Sequence, residues 1–175
     1  MSAGGLERLW AGWRSAYVAG HAEGTADAAI TEGGSVFTRI LASGRPDGET
    51  GVVHRGERVF TILNRFPYGS GHLLCMPYRE VADLLQLTPD ESAELWAEIR
   101  AAVAAVTAAY RPDGVNVGMN LGEGAGAGVP GHLHAHVLPR WHADSNFMTA
   151  TAETRVLPEA LPDTFRRVVL AWPDR

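Results

Sequence analysis

The stretch Gly131-His132-Leu133-His134-Ala135-His136-Val137-Leu138-Pro139-Arg140-Trp141 decides the fold. Histidine alternates with Leu133, Ala135 and Val137, and a period of two predicts a half-buried strand. Neighbouring side chains on a strand point to opposite faces. The three imidazoles should therefore share one face while the aliphatic residues turn into the core. Directly upstream, Gly122-Glu123-Gly124-Ala125-Gly126-Ala127-Gly128-Val129-Pro130-Gly131 forms a loop whose backbone N–H groups can approach an anion. Imidazoles beside such a loop point to phosphate chemistry.

The rest of the composition is compatible with that chemistry. The chain has 175 residues, 46% apolar and 20% charged, enough for one globular domain with a substantial core. Its net charge is −5, it contains no lysine, and its arginines form no block, which argues against a general nucleic-acid surface. A nucleotide needs only a local anion site and remains compatible. Cys75 is the single cysteine, so no intrachain disulfide can form, as expected of a reducing cytoplasm. No basic segment leads into an apolar core near Met1, and no apolar run reaches the roughly 20 residues of a membrane span. A cytoplasmic protein without membrane contact is expected.

Upstream of the histidines, Thr88-Pro89-Asp90-Glu91 reads as a capping box with proline at the first helical position. Leu95, Ile99, Val103, Val106 and Tyr110 then trace one stripe, with Trp96 beside it. This is one long helix with an aromatic-lined core face, ending at Arg111-Pro112-Asp113-Gly114. Strands are predicted at Val52–Arg55, Arg58–Leu63, His72–Met76 and Val115–Leu121, with the histidine strand as the fifth. Pro46-Asp47-Gly48 is a turn signal, and Val36, Phe37, Ile40 and Leu41 form a brief helical turn. Leu6, Leu9, Trp10, Trp13 and Tyr17 predict a short amphipathic helix, followed by a small, polar linker over 20–34. Residues 158–172 predict a terminal helix with Leu161, Phe165, Val168, Val169 and Trp172 on its apolar side. Strands separated by turns with a single long helix give an α+β fold built on an antiparallel sheet.

Three readings of His132, His134 and His136 compete on the residues alone. One is a nucleophile with two supporters, since neutral imidazole keeps a free lone pair near neutral pH. The second is a zinc site. Residues two apart on an extended strand are about 7 Å apart along its axis, which disfavours convergence on one ion. The third is a set of surface histidines with no role. Gly126-x-Gly128-x-x-Gly131 formally satisfies a dinucleotide fingerprint, but that motif must follow a strand and open a helix, and this one runs straight into the histidine strand.

His132-Leu-His134-Ala-His136-Val137-Leu138 resembles the defining motif of the histidine triad (HIT) family of nucleotide hydrolases and transferases. The run through Pro139-Arg140-Trp141, Asp144-Ser145-Asn146-Phe147-Met148 and Thr154-Arg155-Val156-Leu157-Pro158-Glu159 is similar to the bacterial branch that includes diadenosine-tetraphosphate phosphorylases. So are Leu63-Asn64-Arg65-Phe66-Pro67-Tyr68 and Gly71-His72-Leu73-Leu74. The resemblance implies an antiparallel five-stranded sheet with one long helix and short helices, two such sheets being joined across a homodimer. It implies a catalytic domain over 35–150, preceded by the N-terminal helix and linker (1–34) and followed by a tail and helix (151–175) packed on the domain or the partner.

The resemblance also implies roles. His134 is the nucleophile that attacks an α-phosphorus and carries a covalent nucleotidyl intermediate, while His132 and His136 hold phosphate oxygens and orient it. Val36, Phe37, Ile40, Leu63 and Val129 line the nucleoside pocket, Asn64 accepts ribose hydroxyls, and His72 stands behind the nucleoside. Asn120, Gly126 and Gly128 face the phosphates, and Trp141 lies at the polyphosphate end or a subunit contact. Gly128 sits where animal-type relatives carry Gln or Ser, so a side-chain donor is lost. Many bacterial relatives carry a Cys-x-x-Cys zinc pair where this chain has Ser35 and Thr38, and a further His ligand where it has Glu80. Hydroxyls are poor zinc ligands, so neither a catalytic nor a structural metal is expected. The implied substrate is an adenine nucleotide or dinucleoside polyphosphate, with water or inorganic phosphate as acceptor. Hydrolysis of nucleoside phosphoramidates or other nucleotidyl conjugates, or a regulator that binds nucleotide with incidental turnover, are the alternatives.

Overall fold

A computed structural model describes residues 34–144 and 159–173; the predicted N-terminal helix lies outside them. Five strands form one antiparallel sheet: β1 (Val52–Arg55), β2 (Val59–Leu63), β3 (Leu73–Pro77), β4 (Gly114–Met119) and β5 (Ala135–Arg140), in the spatial order β1-β2-β3-β5-β4. β2 and β3 are buried along their whole length, which is why they read as near-continuous apolar runs, interrupted in β2 by Thr61, rather than alternating ones.

The two faces of the sheet are sorted by the strand period. On one face, Val59 and Leu63 of β2, Leu73 and Cys75 of β3, and Ala135 and Val137 of β5 pack under the long helix α3 (Pro89–Tyr110), through Leu95, Ile99, Ala102 and Val106. On the other, Phe60, Ile62, Leu74 and Met76 pack with Phe37 of α1 (Val36–Ala42) in a second, smaller cluster. That second face carries the histidines.

The capping box of α3 forms as expected: Thr88 Oγ1 accepts from the Glu91 amide and Glu91 reaches back to the Thr88 amide. Arg79 clamps the same Glu91 at 2.6 Å and holds its carboxyl well below the usual range, at about 2. The helix ends at Arg111, which is left-handed (φ 47°) because Pro112 disfavours helical backbone before it. Trp96 departs from the core reading. It is 55% exposed, since one step past Leu95 rotates it about 100° off the buried stripe.

The expected turn at Pro46-Asp47-Gly48 is instead a four-residue helix, α2 (Asp47–Thr50), closed by left-handed Gly51. The terminal helix α4 (Leu161–Leu170) packs on α3, α2 and β1, burying Val168 and Thr164. Just beyond it, Trp172 stacks on His54 at 5.0 Å.

The histidine strand is shorter than its periodicity suggested. β5 starts at Ala135, so His132 and His134 precede it and only His136 lies on it. The register Cys75↔Ala135 would place Leu133 opposite Pro77, which has no N–H to offer a ladder. The Leu133 amide instead donates to the Val81 carbonyl at 2.6 Å, and His132 and His134 are buried rather than half-exposed.

Candidate active site

His134 sits at the mouth of the strand with its ring 6% exposed. Its Nδ1 lies 2.7 Å from the backbone oxygen of His132. A carbonyl only accepts, so Nδ1 carries the proton and Nε2 is left with the lone pair. A local backbone contact thus selects the tautomer a nucleophile needs. Phe37 lies against the ring, centroids 5.6 Å apart, and covers His132 as well at 5.5 Å.

His132 is pinned at both nitrogens. Nε2 donates to the Pro77 carbonyl at 2.8 Å, and Nδ1 therefore accepts from the Ser35 hydroxyl at 2.7 Å. The imidazole that should hold a phosphate oxygen is consumed in placing the loop, and it is fully buried. It is the carbonyl of His132, not its ring, that meets His134. With both ring nitrogens of His132 engaged, that imidazole has no lone pair left for an ion shared by all three histidines.

His136 is oriented by residues far away in sequence. The Tyr68 amide and the Asn64 side-chain amide reach His72 Nδ1 at 3.1 and 3.3 Å, so His72 carries its proton on Nε2. That proton is donated to His136 Nδ1 at 2.9 Å, which leaves His136 with an N–H at Nε2. This Nε2 is buried and meets no hydrogen-bond partner among the described residues. A buried donor without a partner is unfavourable unless a ligand supplies one. Tyr68 stacks on His136 (5.8 Å, 20°) and lies tilted against His72 (4.7 Å, 46°), walling this side of the site. Gly71, just before His72, lets the chain pack closely on Tyr110 and Pro139: it is left-handed (φ 78°), and a Cβ there would come within 2.8 Å of the Tyr110 ring and 2.9 Å of Pro139.

Burial lowers the proton affinity of all three triad histidines. His132 and His134 fall below the ordinary value of 6.5, chiefly by desolvation, and His136 falls to about 4 with repulsion from His134 added. Neutral imidazoles near pH 7 leave the Nε2 lone pair of His134 free to attack.

Several other predicted residues join this face and some do not. Val36, Phe37, Ile40 and Val129 surround the second cluster beside the histidines. Asn64 reaches His72 rather than standing alone. Asn120 Nδ2 donates to the Gly126 carbonyl at 3.3 Å and so anchors the glycine loop. In that loop Gly122 and Gly126 are left-handed, Gly128 is half-buried, and the segment passes through a bend into β5 with no helix following. Leu63 is misassigned, because it alternates with Ile62 and packs in the core under α3. Trp141 is likewise not brought to the histidines: it meets the Tyr110 ring edge-on at 6.1 Å, at the far end of β5.

Two further residues join this face without a motif to mark them: Tyr68, stacked on His136, and Gly118, which lies directly across from His136 on β4. Its signal was the register, which no local pattern reveals.

If His72 fixes the tautomer of His136, His72→Ala should lower kcat about 10- to 100-fold with a smaller change in KM, because the donor at His136 Nε2 is no longer enforced. His72→Gln retains a donor near Nε2 and should recover part of the loss. Equal kcat for wild type and His72→Ala would remove the role.

Residues 45–143 match the HIT domain family model. The chain is 41% identical over 167 residues to a Mycobacterium tuberculosis protein named AP-4-A phosphorylase, covering 95% of this chain and 85% of that one. Among solved structures it is similar to a zinc-bound histidine triad family protein from Mycobacterium smegmatis, with a TM-score of 0.62 and 26% identity over 78% of this chain and 91% of that one. A HIT-like protein from Bartonella henselae shares the fold, with a TM-score of 0.64 at 20% identity, covering 78% and 94%. With the triad, the five-stranded sheet and the family match in agreement, the chain belongs to the HIT family.

Proposed function

We propose that this enzyme breaks the bond at the α-phosphate of an adenine nucleotide, acting on a dinucleoside polyphosphate such as diadenosine tetraphosphate through a covalent nucleotidyl-His134. The observation that carries the reading is the 2.7 Å contact between His134 Nδ1 and the His132 carbonyl, which leaves the Nε2 lone pair exposed to the site. That lone pair forms a bond to the α-phosphorus while the bridging P–O bond breaks, and the electron pair leaves with the oxygen of the departing nucleotide. The N–H of His136 Nε2 hydrogen-bonds that oxygen and stabilises the charge it gathers, so the departing nucleotide leaves as its phosphate anion. In the second half, an oxygen of inorganic phosphate or water attacks the phosphorus, the N–P bond breaks and its electron pair returns to His134 Nε2; phosphate attacks as the anion, and water passes its proton to solvent. Amides of the glycine loop hydrogen-bond the non-bridging oxygens.

Phosphate is the favoured acceptor, on the strength of the 41% identity to a protein named for phosphorolysis. The enzyme works in the cytoplasm as a homodimer. β4 is an edge strand with no further strand beyond it among the described residues, and it exposes Val117 as a surface for a second copy. Sedimentation at twice the chain mass is the expected result. No described helix is long and apolar enough to cross a membrane.

Incubating the protein with diadenosine tetraphosphate, with and without phosphate, tests the reaction. Phosphate-dependent ADP plus ATP is the expected outcome, and AMP plus ATP assigns water as acceptor. Tight binding without turnover would overturn the enzymatic reading in favour of a nucleotide sensor.

A further inference from the structure

The residues behind His132 form a network that the reaction chemistry does not call for. Ser35 caps α1, accepting from the Thr38 amide at 3.3 Å, while its hydroxyl proton goes to His132 Nδ1 at 2.7 Å. Glu80, on the segment after β3, accepts from the Ser35 amide at 2.7 Å and from the Thr38 hydroxyl through a short bond to the same oxygen. Its carboxyl is held below the usual range by those donors. Gly34 makes room for the carboxylate: its backbone is left-handed, and a Cβ there would collide with Glu80 Oε1. Three chain segments, at residues 35–38, 80 and 132, thus meet through direct hydrogen bonds alone.

This donor set does not fit a zinc ion. Tetrahedral zinc takes thiolate, imidazole or carboxylate at about 2.0–2.3 Å, which keeps neighbouring ligand atoms more than about 3.2 Å apart. Ser35 Oγ and His132 Nδ1 are 2.7 Å apart, and the only lone pair of that imidazole is already in use. Two of the four groups are neutral hydroxyls. Among the described residues no group of three or more His, Cys, Asp or Glu side chains is set to hold a metal.

We propose that Ser35, Thr38 and Glu80 form a metal-free clasp that positions His132, and through the His132 carbonyl sets the orientation of the nucleophile His134. The clasp also docks α1, so that Phe37 is carried against both imidazoles. Glu80 orders Ser35 and Thr38, Ser35 holds the His132 ring, and the carbonyl of the same residue takes the His134 proton. These are positioning residues, and none touches substrate. The kinetic part of this claim rests on the nucleotidyl-transfer reading above, whereas the structural part does not.

The test uses the full chain expressed with added zinc. Metal analysis should find zinc far below one ion per chain, and dialysis against 1,10-phenanthroline should leave the thermal midpoint and kcat unchanged. The 15N spectrum of His132 should show a proton on Nε2 and a hydrogen-bonded, unprotonated Nδ1. With diadenosine tetraphosphate, Ser35→Ala and Glu80→Ala should each lower kcat about tenfold or more, beyond any change in KM, because the nucleophile is no longer held in line. Ser35→Thr and Glu80→Gln keep the hydroxyl and the acceptor oxygen, and should restore most of that loss. One zinc per chain whose removal lowers the thermal midpoint would overturn the clasp. So would a His132 protonated at Nδ1, or folded Ser35→Ala and Glu80→Ala variants with wild-type kcat. A wild-type protein inert toward the nucleotide would defeat the functional reading alone, since metal content and the His132 spectrum still decide the clasp.

Discussion

His134→Ala should reduce turnover of diadenosine tetraphosphate by roughly 10⁴-fold or more, the scale seen when a covalent nucleophile is removed and only binding and oxyanion contacts remain. Nothing nearby can substitute. Both nitrogens of His132 are engaged, and His136 presents an N–H rather than a lone pair to the site. The variant should still fold, because the ring is held by one backbone contact and the edge of Phe37 rather than by the main core. A His134→Gly variant rescued by added imidazole would place the lost atom at Nε2. A His134→Ala enzyme within tenfold of wild type would sink the covalent mechanism.

The same imidazole sets the pH dependence. Its proton affinity is lowered by burial, so the protonation that kills the nucleophile occurs below the ordinary value of 6.5. The rate kcat/KM should be flat above that pH, with an acid limb displaced to lower values. Stability follows the same sign. Groups with a depressed native pKa bind fewer protons folded than unfolded, so stability is complete above about 6.5. It drains away as the pH drops through the window whose lower edge, for His136, is about 4.

How much of this was legible in the chain depends on distance along it. Period-two alternation sets His136 on the face opposite Ala135 and Val137, as the structure has it, while its pairing with Leu74 comes from the register. It could not say where the strand begins, because that is set by Pro77, 58 residues before Ala135, which offers no N–H opposite Leu133. His72 looks ordinary in its own segment, and its importance comes from a ring 64 positions later. Leu63 and Asn64 are adjacent and were both assigned to the pocket, yet a strand must send them to opposite faces. Ser35 and Glu80 drew notice only as residues unlike zinc ligands. Their positive role needed the fold to bring them to His132.

Glu98→Ala should destabilise the protein by about 3–5 kcal/mol, lowering the thermal midpoint by roughly 6–20 °C for a chain of this size. Glu98 lies on α3 between Leu95 and Ile99 and is completely buried, a position the helical stripe alone would assign to an apolar residue. It accepts the Thr61 hydroxyl of β2 at 2.7 Å and the His54 ring of β1 at 2.9 Å, both at one carboxylate oxygen. Trp172 covers His54, so the same carboxylate links helix, sheet and the end of α4. Removing it opens a cavity and leaves the buried Thr61 hydroxyl with only the weak acceptor Cys75 Sγ at 3.3 Å, each a penalty of about 1–3 kcal/mol. His54, which is partly exposed, can turn to solvent.

The asymmetry gives a sharper test than the single variant. Glu98→Leu fills the cavity but leaves Thr61 only the weak contact to Cys75 Sγ, whereas Glu98→Leu with Thr61→Val removes both partners. If the buried hydrogen bond is what matters, the double variant should be more stable than Glu98→Leu alone, even though it changes more residues. Additive losses in the two variants would mean that Glu98 acts through packing only. Because this network lies on the sheet face away from His134, folded Glu98→Ala should keep wild-type kcat below its midpoint, separating stability from catalysis in one measurement.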